Sequence, residues 1–146
     1  MEKENNSLGF ALQGIKTEQF AIFEENYSPK KDIGLGTGLQ FKIDSLNKQI
    51  GSFLSFEFIQ SKKVFLKIQV SCHFKIEENA WNSFIQKDKL VVSKGFLAHL
   101  AMITTGTTRG VLFAKTEGTV FSKYIVPTIN VAEMIQKDAS FDITVE

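Results

Sequence analysis

Apolar and polar residues alternate through the first half of the chain, and the period lengthens in the second. From Leu8 to Phe23, the residues Phe10, Leu12, Ile15, Phe20, Ile22 and Phe23 recur among polar neighbours, with Gly9 and Gly14 allowing a bend or bulge. That spacing predicts one long, kinked strand. Tyr27 to Asp32 breaks the pattern, and Gly34-Leu35-Gly36-Thr37-Gly38 continues the break with three permissive residues, which predicts a mobile loop over 26–38. Leu39, Phe41 and Ile43 then alternate with Gln40, Lys42 and Asp44, and Leu54, Phe56 and Phe58 with Ser55 and Glu57, giving two strands. After Ser61-Lys62-Lys63, Val64, Leu66, Ile68, Val70, Cys72, Phe74 and Ile76 face one way and Lys67, Gln69, Ser71, His73 and Lys75 the other. This is the pattern of a half-buried antiparallel strand.

Between Glu77 and Lys89, Trp81, Phe84 and Ile85 take helical spacing over too short a run to stand alone, which fits a packed turn or a short strand return. From Ser93, a plausible N-cap, the series Leu97, Leu100, Ala101, Thr104, Thr108, Val111 and Leu112 suits a long helix stopped by Gly118. The run Thr104-Thr105-Gly106-Thr107-Thr108 opposes it, because β-branched residues and glycine are poor helix formers, so a helix there needs tertiary contacts. A loop over Gly118–Thr128 carries Phe121, Tyr124 and Ile125, and a second, short helix starts near Asn130. With no internal repeat, the reading is an α+β domain: a four-stranded antiparallel sheet followed by a long helix and a short helix.

Size and charge narrow the classes of function. A chain of 146 residues buries roughly 68–70% of its unfolded surface and needs no metal or disulfide to hold a core. The expectation is a single domain over 1–146 with a polar N-terminal tail at 1–7. Cys72 is the only cysteine, which points to a reducing compartment, and no apolar run approaches the roughly 20 residues that span a membrane. A cytoplasmic chain without membrane insertion is expected. Arg109 is the single arginine among 17 basic residues, balanced by 16 acidic ones, which speaks against nucleic acid as a partner. Phenylalanine is abundant, with 14 residues, most of which must pack inside.

Candidate chemistry is sparse. The glycines at 34, 36 and 38 lack the further glycine three residues on, and the helix, that a dinucleotide loop needs, and Gly106-Thr107-Thr108-Arg109-Gly110 lacks the lysine of a P-loop. Cys72 and His73 are strand neighbours, so they diverge and cannot share a metal or form a nucleophile–base pair. His99 could meet Cys72 across the core, but a lone helical histidine is usually a satisfied polar residue. No enzyme activity and no cofactor, nucleotide or metal are expected. Gly106 and Gly110 fall on one helix face, where another backbone can come close, either the sheet's or that of a second subunit.

Phe10-Ala11-Leu12-Gln13-Gly14-Ile15, with the later Phe20 and then Pro29, resembles the first strand of SecB, the bacterial export chaperone family. Three alternating strands follow in that family's order, and Gly118-Thr119, Pro127 and Asn130 are similar to the residues between its two helices. The resemblance implies an ATP-independent holdase, a homotetramer built as a dimer of dimers, that binds unfolded polypeptides in apolar grooves. By the same resemblance Tyr27, Ile33 and Leu35 line the groove, and Phe121, Tyr124, Ile125, Val131, Met134 and Ile135 form its lid, while the four-residue spacing of Gly106 and Gly110 makes them the candidates for the oligomer interface. Two features depart from the family. Lys42, Lys67 and Lys75 stand on strands whose acidic face contacts the SecA motor, which argues against SecA as a partner, and the Pro-Tyr pair that opens the first helix is absent. Service in export or in a toxin–antitoxin pair stays open. The rival readings are a small-ligand module with a pocket lined by Phe41, Phe56 and Phe58, and a non-catalytic structural subunit.

Overall fold

In the computed structural model residues 9–143 are described, so the expected tail at 1–7 lies outside them. Strands β1 (Phe10–Ile22), β2 (Gly34–Asp44), β3 (Gln49–Gln60) and β4 (Lys63–Ile76) form an antiparallel sheet in the order β1-β4-β3-β2. Alternation dictates its two faces. Ile50, Leu54, Phe56 and Phe58 of β3 and Leu66, Ile68, Val70, Cys72, Phe74 and Ile76 of β4 are buried on one side, while Glu57, Lys67, Gln69 and His73 stay partly open on the other. The long kink expected in the first strand is two bulges, one beside Gly14 and one at Glu18, where β1 slips against β4.

The loop expected over 26–38 ends early. A single 3₁₀ turn (Glu24–Asn26) follows β1, and β2 already begins at Gly34, which pairs with Ile59. A full ladder onto β3 satisfies the backbone groups of that glycine-rich run, and this outweighs glycine's preference for freedom. Two tight hairpin turns carry no glycine. Ser61 and Lys62 between β3 and β4 take φ of 51° and 64°, and Lys87 and Asp88 take 50° and 67°.

The second half holds more elements than the pattern suggests. A short helix α1 (Glu78–Ser83) leads into β5 (Ile85–Gln86) and β6 (Lys89–Val92), and β6 also pairs with β7 (Ala139–Asp142), forming a second, three-stranded sheet. Where a packed turn or a short strand return was expected between Glu77 and Lys89, the run Glu78–Ser83 is a short helix, held by packing of Ala80 and Trp81 in the core, and only the two-residue β5 makes a strand return. Helix α2 (Lys94–Thr116) begins as expected at Ser93, whose Oγ accepts from Phe96 N at 3.2 Å, and Gly118 follows its end with φ of 83°. The threonine run stays helical because buried hydroxyls find acceptors one turn back. Thr104, Thr105 and Thr108 donate to the carbonyls of Leu100, Ala101 and Thr104 at 2.7–2.8 Å. These bonds remove the cost of burying a hydroxyl. Helix α3 (Val131–Met134) is one turn long.

Helix α2 lies along the sheet and joins two apolar clusters. Trp81, Phe84, Leu90, Phe96, Leu97 and Leu100 pack on Ile50 and Phe74 at one end, and Leu112, Phe121 and Val126 pack on Phe56, Phe58 and Phe65 at the other. Phe56 and Phe58 therefore fill the core, which removes two of the three walls of the small-ligand pocket.

Candidate functional site

The expected groove and lid residues separate into two groups. Tyr27, Phe121 and Tyr124 meet in an aromatic cluster with Phe58 and Phe65, with Tyr27 5.0 Å from Phe65 and 4.8 Å from Phe121 between ring centres. The Tyr27 and Tyr124 hydroxyls are hydrogen-bonded at 2.8 Å. Burial, then this hydrogen bond and the neighbouring phenol's charge, push the Tyr124 hydroxyl up to about 12. Phe121, expected to face a client, is only 5% exposed, and Val131 is also buried. Phe121 belongs to this domain's own core, because the 3₁₀ turn Val120–Lys123 folds it under the end of α2, and Val131 is covered at the start of α3.

Ile33, Leu35, Ile125 and Met134 are exposed, Leu35 by 52%, and Ile135 is half-buried. Met134 and Ile135 line an open cleft of about 1040 Å³ with Leu39 and Phe41 of β2, Leu97 of α2, and Ala139 and Ser140 of β7. A second cleft of about 910 Å³ continues past β7, between Ile43, Leu46, Trp81 and Ile143. Both have β2 as one wall and β7 as part of the other, so together they form a trough in which these apolar residues alternate with polar ones, Gln136, Lys137 and Asp138 in the first cleft and Asp44, Lys48 and Asp142 in the second. β2 is an edge strand, paired only with β3, and its other row of backbone donors and acceptors is open beside the trough. Leu39 and Leu97 were not foreseen as site residues, and Phe41 only as a wall of the rival small-ligand pocket. The signal was present in β2, where Leu35, Leu39, Phe41 and Ile43 share a face that no helix fully covers.

Arg109 fixes the segment after α2. Its Nε donates to the Val126 carbonyl at 2.7 Å and a terminal nitrogen to that of Pro127 at 2.9 Å. Gly106 and Gly110 face away from the sheet, with nothing within 4 Å of where a Cβ would stand. That leaves the second of the two roles open to them, contact with another subunit. Met102 and Phe113, on the same outward face, are 61% and 48% exposed. On β1 next to this helix, Leu12 and Ile15 are exposed as well.

Among the described residues no group of three or more histidine, cysteine or acidic side chains is placed to hold a metal. Cys72 is buried and His73 points to the opposite sheet face, as alternation requires, and the exposed His99 packs edge-on against Phe10. No helix among these residues is long and apolar enough to cross a membrane. The class so defined is an α+β domain with a helix-covered antiparallel sheet, an open edge strand and a partly apolar trough. No protein-family model and no curated protein matches the chain. Among solved structures it is similar to a SecB-like chaperone of Mycobacterium tuberculosis in complex with a ChAD peptide from an antitoxin. The two are 13% identical, with a TM-score of 0.38 over 72% of this chain and 68% of that one.

Proposed function

We propose that this chain is a non-catalytic, ATP-independent holdase of the cytoplasm that binds unfolded polypeptides in extended form along β2. The observation that carries this reading is the trough, with its apolar residues from β2, α2 and the α3 end, lying beside an unpaired strand edge. An extended client can add its backbone to the open edge while alternate side chains enter the trough, which gives affinity without sequence selectivity. Leu39, Phe41, Met134 and Ile135 supply apolar contact in the trough, exposed Leu35 extends it along the same face of β2, and methionine adapts to many shapes. The aromatic cluster of Tyr27, Phe121 and Tyr124 stiffens one end of the domain and is not itself the groove.

The same reading makes the working form a homo-oligomer, a tetramer. Its support is the outward face of α2, where Gly106 and Gly110 leave room for a second backbone between Met102 and Phe113, next to exposed Leu12 and Ile15.

The test is suppression of aggregation of a reduced, unfolding protein, with mass measured by light scattering. The double variant Leu35→Asp/Met134→Ser removes two exposed contacts and should melt as the native chain does. Its client affinity should fall by about tenfold or more, as for loss of an interface anchor. Gly106→Arg should lower the mass. Native client binding by the double variant would overturn the trough assignment, and a native chain that is monomeric at tens of micromolar would overturn the assembly.

A further inference from the structure

The sheet's outer face, opposite α2, carries a hollow of about 300 Å³ that meets the far end of the trough only at Ile43 and Asp44. Gly51 is its floor, because it pairs with Lys42 on one side and His73 on the other. A Cβ there would lie 2.9 Å from the Phe53 ring and 3.3 Å from His73 Nδ1. Phe53 and His73 stand edge to face with centres 5.7 Å apart, and Lys42 Nζ lies 4.8 Å from the centre of the Phe53 ring. Lys16 and Asp44 complete the rim.

The two lysines of the rim are not ion-paired locally. Asp44 is turned to its own turn, accepting from Asn47 N at 3.2 Å and from Asn47 Nδ2 at 2.8 Å. Glu18, at the bulge of β1, accepts from Ser71 Oγ at 2.6 Å. Among the described residues neither Lys16 nor Lys42 has a carboxylate within ion-pair distance.

We propose that this hollow is a docking site for an acidic peptide segment of a partner protein, with one carboxylate seated between Lys16 and Lys42 and an aliphatic neighbour against Phe53. Lysines present point charges without the planar fork that favours phosphate, and the apolar ring between them suits a mixed acidic and aliphatic segment. His73 couples the site to pH. Since Glu18 only accepts, the Ser71 proton goes to it, and His73 Nε2, 2.8 Å from Ser71 Oγ, must donate. Nδ1 is thereby left bare over the floor. Burial first, and then Lys16, hold the His73 pKa below its ordinary value, with Glu18 opposing. Of the other groups nearby, Lys42 and Asp44 from β2 and Phe53 from β3 line the same hollow, and Lys75, next on that face of the strand, donates to the Asn47 carbonyl. A seated carboxylate favours protonation of Nδ1, so binding takes up a proton and tightens as pH falls from about 7.5 to about 5.5.

The experiment is fluorescence polarisation of an acetylated, fluorescein-labelled peptide of alternating aspartate and leucine, titrated with the full chain at those two pH values. A lysine–leucine peptide and a short oligothymidylate serve as comparisons. The acidic peptide should bind, and more tightly at the lower pH, while the basic peptide should not. Lys16→Glu/Lys42→Glu should weaken it at least about tenfold, the milder Lys42→Gln severalfold, and His73→Gln should abolish the pH dependence, all with unchanged melting. The trough variant Leu35→Asp/Met134→Ser should bind as the native chain does, which separates this site from client binding. No binding of the acidic peptide, equal binding of the oligothymidylate, native affinity in the lysine variants, or loss in the trough variant would each overturn the proposal.

Discussion

Ser52 is fully buried on the helix-facing side of the sheet, between Phe41 and Cys72 in the ladder, and its Oγ has no hydrogen-bond partner among the described residues. A buried hydroxyl without a partner costs about 1–3 kcal/mol, and alanine removes it while leaving little empty space. Ser52→Ala should therefore stabilise the fold by about 1 kcal/mol, seen as a melting temperature raised by roughly 2–4 °C. A lower melting temperature would mean that the hydroxyl has a partner. Tyr124 gives a pH dependence of opposite character. Its hydroxyl is raised from 10.0 to about 12, so the folded state favours the neutral phenol. The stability this represents is complete below pH 10 and is lost as pH rises from there through about 12. Melting followed through that window should fall, and Tyr124→Phe should flatten the fall. At this scale the sequence told some residues well and others poorly. Cys72 and His73 were placed on opposite faces by strand period alone, whereas Phe121 lies in a 3₁₀ turn, where no period says which side chain turns inward.

The elements read from the sequence are those whose side chains keep a period over many residues. β3, β4 and the capped helix α2 are of this kind. β2 was cut short because its first five residues include three glycines, which have no side chain to alternate, and only the β3 ladder reveals their pairing. β6 and β7 escaped for another reason. Each has four residues, and they are far apart in the chain, so neither signals its partner. Arg109 is the clearest link between elements, joining α2 to the segment that leads into α3. Its two charge-assisted hydrogen bonds to carbonyls were invisible in a sequence read for periodicity. Arg109→Ala should cost about 2 kcal/mol and release amide protection over residues 126–131, measured by melting and hydrogen exchange. Arg109→Lys, which lacks the planar fork, should recover only part.

At the scale of the molecule, the fold class was legible because alternating strands followed by a helical period leave few architectures. The trough was only half legible. Met134 and Ile135 were singled out, but the trough becomes a site only when β7 folds back beside β2, an event that no local pattern encodes. The short turn between β3 and β4 has a further consequence, for the order of events in time. A two-residue hairpin closes quickly and fixes its own register, whereas β1 must find β4 with the whole of β2 and β3 intervening, as Phe10 meets Ile76. The β3–β4 hairpin is the natural nucleus and β1 the late arrival. Yet Ser61 and Lys62 occupy the left-handed region at a cost of about 1 kcal/mol or more each. Ser61→Asn/Lys62→Gly should accelerate refolding roughly fivefold in stopped-flow measurements and leave the unfolding rate nearly unchanged. Until β1 docks, the edge of β4 stands open to any passing strand, so the native turn sets how long each newly made chain is itself exposed to mispairing.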